Sequence, residues 1–129
     1  MTKFLNPDSI AAPVGAYSHG VLAPANGRWL HVSGQIGVLR NGTLAGGFAA
    51  QAHTAWSNLV AILTAAEMDV AHLIKVTTFI VNAADLKDLA SVRNGFLGTA
   101  RPASTLLVVA ALAKPEWLIE VEAVAYRSR

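Results

Sequence analysis

The run Leu118-Ile119-Glu120-Val121-Glu122-Ala123-Val124-Ala125-Tyr126 alternates with period two, the pattern of a β-strand whose successive side chains point to opposite faces. Ile119, Val121, Ala123 and Ala125 form a core face. Glu120 and Glu122 share the other face. Carboxylates in mid-strand are costly to bury unless they are paired, hydrogen-bonded or wet. The strand therefore calls for a sheet with one packed face, and with a second face at a water-lined cleft, a subunit interface or solvent.

The rest of the chain reads as elements that could complete such a sheet. Residues 1–14, with Pro7 and Pro13, read as an extended lead-in, and Tyr17–Leu22 as a first strand. Pro24-Ala25-Asn26-Gly27 is a turn signal. Trp29–Val38 is a second strand interrupted by Ser33-Gly34-Gln35, where a glycine marks a bulge or a close backbone approach. From Phe48 to Met68 the period becomes helical, with Ala52, Trp56, Leu59, Leu63 and Ala66 on one stripe. Leu73–Val81 is a third strand, Asp85–Leu97 a second helix, and Ser104–Leu112 and Leu118–Tyr126 the last two strands. The order β-β-α-β-α-β-β over 1–129 predicts one α/β domain, a two-layer sandwich of a mixed sheet with both helices on one face.

Composition narrows the function. Hydrophobic residues make up 53% of the chain and charged residues 14%. This surface is short of charge for a lone monomer, so burial against further copies is expected. The net charge is +2 and there is no basic run, which argues against nucleic acid as a partner. With no cysteine and four scattered histidines (His19, His31, His53, His72), neither a thiolate nucleophile nor a metal site is expected. His19 and His31 read as hydrogen-bonded strand histidines. No signal pattern and no membrane-length apolar run is present, so a soluble cytoplasmic protein is expected.

Arg93 is out of place. On the second helix it falls inside the stripe of Leu86, Leu89, Phe96 and Leu97 rather than opposite it. Three readings stand: an arginine that lays its stem on apolar surface with its head in water, a guanidinium directed into a cleft to bind a carboxylate, or a salt bridge to Glu120 or Glu122.

Several segments taken together resemble the YjgF/RidA (L-PSP) family. These are Pro13-Val14-Gly15-Ala16-Tyr17-Ser18-His19-Gly20, Val32-Ser33-Gly34-Gln35-Ile36, Gln51 with Asn58-Leu59, Ile74-Lys75-Val76-Thr77, and Arg101-Pro102-Ala103 followed by Ile119-Glu120-Val121-Glu122-Ala123. The resemblance implies a chorismate-mutase-like fold and a homotrimer with ligand sites in inter-subunit clefts. It also implies cofactor-free hydrolysis of imines and enamines, such as 2-iminobutanoate and 2-aminoacrylate, to a keto acid and ammonia. Carried over, the catalytic glutamate is Glu120, the pocket tyrosine Tyr17 and the pocket glycine Gly34. The family's substrate-binding arginine falls on Ser104, which is uncharged, so the chain resembles a branch lacking that arginine. A pocket position that is often cysteine is Leu106, and one that is often asparagine is Arg93. Trp117 either roofs the cleft or packs at an interface. The expected activity is an imine or enamine hydrolase with a substrate other than 2-iminobutanoate; Arg93, out of place in its stripe, is expected to supply the missing charge, and Glu122 to perturb Glu120. The alternatives are a ligand-binding trimer without turnover and a chaperone-like interaction protein. An RNA-cleaving role ranks last.

Overall fold

In the computed structural model, which describes residues 1–129, the strands are β1 (Lys3–Leu5), β2 (Gly20–Leu22), β3 (Gly27–Gln35), β4 (Leu73–Ile80), β5 (Ala103–Val108) and β6 (Ile119–Ser128). The helices are α1 (Phe48–Ala65) and α2 (Leu86–Leu97). A mixed sheet runs β3-β6-β4-β5, parallel between β4 and β5 and antiparallel elsewhere. α2 is the crossover that a parallel pair requires. The expected order therefore holds with one addition. Within the supposed lead-in, β1 pairs with β2 as a separate two-stranded sheet. No helix is long and apolar enough to cross a membrane.

β6 lies between β3 and β4, and its alternation explains why. Ile119, Val121, Ala123 and Ala125 are buried against Ala52, Trp56, Leu59 and Leu63 of α1 and Leu89 and Leu97 of α2. Alanines at 123 and 125 allow α1 to lie close. α1 stops three residues earlier than its periodicity suggests. Met68 N–H donates to the Leu63 carbonyl and Glu67 N–H to that of Thr64, at 2.8 and 2.9 Å, while Glu67 takes a left-handed φ of 58°. This is a Schellman ending with a glutamate where glycine is usual. Arg28 and Arg127 donate to the Ala66 and Glu67 carbonyls, placing cations on the negative end of the helix dipole.

Two polar residues on α1 fasten loops. Asn58 donates to the Ile36 and Val38 carbonyls at 3.3 and 3.0 Å. Buried Gln51 accepts from Leu118 N–H at 2.9 Å and donates to the Glu116 carbonyl at 3.2 Å, setting the turn that feeds β6. Gln51→Ala leaves both backbone groups short of a partner and is expected to cost about 1–3 kcal/mol, read as a lower urea midpoint.

β5 ends at Val108, not Leu112. It is an edge strand, and its last residues face outward: Leu106, Leu107 and Val108 are 36%, 45% and 50% exposed. With Trp29 on the opposite edge strand, they leave apolar surface bare on the single chain.

Candidate active site

The residues singled out from sequence fall into two groups. The first lies on the sheet face away from the helices. The β3–β6 register slips between Val32 and Gln35, confirming a bulge at Ser33-Gly34. There the Gly34 backbone comes up against the Glu120 side chain. A methyl group built on Gly34 would run into Glu120 Oε2 and lie 2.7 Å from Cδ. Only glycine leaves room for the carboxylate in this position. Glu120 is half-buried. The ion pairs of the chain, Arg28–Glu67 and Asp69–His72, lie elsewhere, so its oxygens are available to a water or a ligand.

Glu122 shares this face but is exposed. Its neighbours across the sheet differ from those of Glu120. Glu122 aligns with Thr77 and, one strand further, Thr105, and Lys75 Nζ donates to Thr105 Oγ1 at 2.7 Å. Glu120 aligns with Phe79 and Leu107, an apolar row. The Lys75–Thr105 bond had no signal in the sequence, because it depends on the parallel register of β4 and β5.

The second group lines a cleft of about 320 Å³ formed by Val14, Gly15, Tyr17, Arg93, Ser104 and Leu106. Ser104 aligns with Val76 and Leu106 with Thr78, both buried on the helix side. This group therefore occupies the other face of the sheet, at its β5 edge. Buried Ser18 brings Tyr17 there. Its hydroxyl donates to the Arg101 carbonyl at 2.6 Å and its N–H to that of Pro102 at 3.1 Å, joining the amino-terminal strap to the start of β5. The Tyr17 hydroxyl accepts from Val14 N–H at 3.3 Å, and the Tyr17 ring meets that of His19 edge-on at 6.0 Å. His19 is hydrogen-bonded as expected, though in the strap rather than a strand: its N–H donates to Asn6 Oδ1 at 2.8 Å, and its Nε2 lies 2.7 Å from the Ala11 carbonyl. Arg101 points away, donating to the Gly98 and Ala100 carbonyls after α2.

Arg93 is half-buried in this cleft. Its guanidinium makes one long hydrogen bond, Nε to Asn94 Oδ1 at 3.4 Å, and no ion pair with Glu120 or Glu122, which lie across the sheet. Of the three readings of Arg93, the salt bridge to Glu120 or Glu122 is absent within the single chain. Burial holds its pKa below the usual guanidinium value, and an arginine so placed is still charged at neutral pH. Trp117 joins neither group. It sits in the turn before β6 with Lys114 Nζ 5.7 Å from its ring centroid. No three His, Asp or Glu side chains converge as metal ligands. Other clefts of about 390–410 Å³ lie between the helices and beside β1, and contain none of the residues carried over.

Comparison with known proteins gives this geometry a context. The family model described as endoribonuclease L-PSP matches residues 8–127. The 2-iminobutanoate/2-iminopropanoate deaminase of Rattus norvegicus is 35% identical over 125 residues, 95% of this chain and 88% of that protein. The deaminase of the same name from Escherichia coli K12 is 31% identical over 131 residues, 98% of this chain and 99% of that protein. The crystal structure of a conserved Rid-family protein from Yersinia pestis matches with a TM-score of 0.88 at 34% identity, over 98% of each chain. With a family model matching residues 8–127 and sequence and fold alike over nearly the whole chain, the chain belongs to the endoribonuclease L-PSP family, that of the YjgF/RidA proteins.

Proposed function

We propose that this protein is a cofactor-free imine or enamine hydrolase of the deaminase type, working in clefts between the copies of a homotrimer. The observation that carries the reading is the Glu120 carboxylate, held against the Gly34 backbone, half-buried and without a cationic partner. A carboxylate so placed can hold a water and accept its proton as the oxygen adds to an imine carbon. An iminium, with its nitrogen protonated, is the form that accepts the attack. The carbinolamine then collapses, the C–N bond breaks, and ammonia leaves a ketone. An enamine first takes a proton on carbon. The balance is one water consumed and one ammonia released, with no electron transferred.

Two observations support placing the reaction between copies. The groups carried over as one site lie on opposite faces of a single sheet, and its two edge strands expose Trp29, Leu106, Leu107 and Val108. A neighbouring copy that covers this surface and brings its Gly34 and Glu120 to the Tyr17–Arg93–Ser104–Leu106 cleft completes the constellation. The relatives named as deaminases support the reaction class. Ser104 and Leu106 favour a substrate other than the smallest imino acids, since the cleft wall has apolar surface to fill.

The test is ammonia and keto-acid release from freshly generated 2-aminoacrylate, 2-iminobutanoate and larger 2-imino acids, with Glu120→Ala as control and the mass in solution measured by light scattering. Release by a trimer that disappears in the variant supports the reading. Release equal to the uncatalysed rate on every substrate overturns it in favour of ligand binding without turnover, and a monomer overturns the shared cleft. Gly34→Ala is a second probe. The added methyl meets the end of a flexible side chain, so the fold is kept and the carboxylate is displaced. Turnover should fall by roughly 10²-fold, as for a misplaced catalytic group, with unchanged thermal stability.

A further inference from the structure

We infer that Arg93 is the anchor for the substrate's carboxylate, received from the α2 side of the cleft, and that the preferred substrate is a 2-imino acid with an uncharged, apolar side chain. The inference deepens the hydrolase reading and rests on it for the identity of the reacting group.

The cleft's composition carries the argument. Within one chain, Arg93 is the only charged residue that lines it. Ser104 and Tyr17 supply hydroxyls, and Val14 and Leu106 supply apolar surface. A monoanion with a hydrocarbon arm matches that set, whereas a dianion would leave one charge without a partner. The state of the guanidinium points the same way. An arginine that merely snorkels keeps its head in water, whereas Arg93 is half-buried and lines the cleft, where burial holds its pKa below the usual guanidinium value. It gains only one 3.4 Å bond in return. An unpaired, partly buried charge is a cost to the folded chain, and a carboxylate accepting from its two terminal nitrogens offsets that cost through charge-assisted, bidentate hydrogen bonds. Position matters as well. Arg93 and Ser104 line the same cleft from different walls, α2 and β5, so a charge on either can serve a ligand between them.

Binding of stable keto acids tests this apart from turnover. The full-length protein is titrated calorimetrically with 2-oxobutanoate, 4-methyl-2-oxopentanoate, 2-oxoglutarate and the uncharged 2-oxobutanamide. Arg93→Gln should weaken the two monoanions about 10–100-fold, the range for losing a charged hydrogen-bond partner, and leave the amide unchanged. Arg93→Lys, or Ser104→Arg added to Arg93→Gln, should recover part of the loss. The wild type should bind 4-methyl-2-oxopentanoate at least as tightly as 2-oxobutanoate, and 2-oxoglutarate more weakly than either. Monoanion affinities that survive Arg93→Gln, or a wild type that binds none of the keto acids, overturn the anchor. Preference for 2-oxoglutarate overturns the substrate class. The two proposals fail separately. Glu120-dependent ammonia release with an unchanged KM in Arg93→Gln removes the anchor and spares the hydrolase. Arg93-dependent keto-acid binding without ammonia release on any imine removes the hydrolase and spares the anchor.

Discussion

Glu120→Gln is expected to lower kcat for imine hydrolysis by about 10²–10⁴-fold, the range for removing a positioned general base, with little change in KM. Glutamine keeps the shape that rests on Gly34 and removes the basicity. Because Glu120 makes no ion pair within its own chain, the substitution breaks none there, and the thermal midpoint should stay where it is. A fall in kcat with KM held constant is the signature of an interaction made in the transition state rather than in binding. It separates Glu120 from Arg93, whose loss should appear chiefly in affinity. A Glu120→Gln enzyme of undiminished kcat would remove the water-activating role altogether.

The largest effect on stability is expected from Trp56→Ala, at about 3–5 kcal/mol. Trp56 is fully buried on α1, and its ring stacks on that of Phe96 of α2 with centroids 5.9 Å apart and planes 20° from parallel. Truncation removes the joint between the two helices and leaves a cavity between them and the sheet. The indole contains its own control, because Trp56 Nε1 is buried without a hydrogen-bond partner. Trp56→Phe discards that orphan N–H along with part of the ring. It should therefore cost well under half as much as the alanine variant. Urea unfolding checks both, with the midpoint falling at constant m-value. α2 also bears Arg93, so keto-acid affinity in Trp56→Ala should fall before the protein unfolds.

Much of this was legible in the residues themselves. The alternation of 118–126 placed Glu120 and Glu122 on one face and the core on the other, and Gly34 announced its bulge. Arg93 betrayed itself by sitting in an apolar stripe. What the sequence lacked were the facts set by register and by distance along the chain. β1 is three residues long, too short for any period to show. The end of β5 depends on where β4 ends, since the last ladder bond runs from Val109 N–H to the Ile80 carbonyl at 2.8 Å. The joint of Ser18 with Arg101 and Pro102 spans more than eighty positions. That Ser104 and Glu120 face opposite ways follows only from the pairing of β5 with β4 and of β4 with β6, which no local pattern encodes. Trp117, read as a roof of the cleft or an interface residue, lies in a turn that Gln51 fixes.

The place of β6 in the sheet has a consequence for how the protein is made. It pairs with β3 from Gly27 opposite Ser128 onward, so the strand flanked on both sides is the last of the described strands to be synthesised. While the ribosome is still at work, β4 and β5 can find each other through α2, but β3 has no neighbour, and the apolar stripe of α1 has little to lie on. Such long-range closures slow folding and prolong the exposure of apolar surface. The nascent chain should therefore depend on chaperones until β6 emerges, and a message truncated just upstream of Ile119 should yield an insoluble product rather than a smaller folded one.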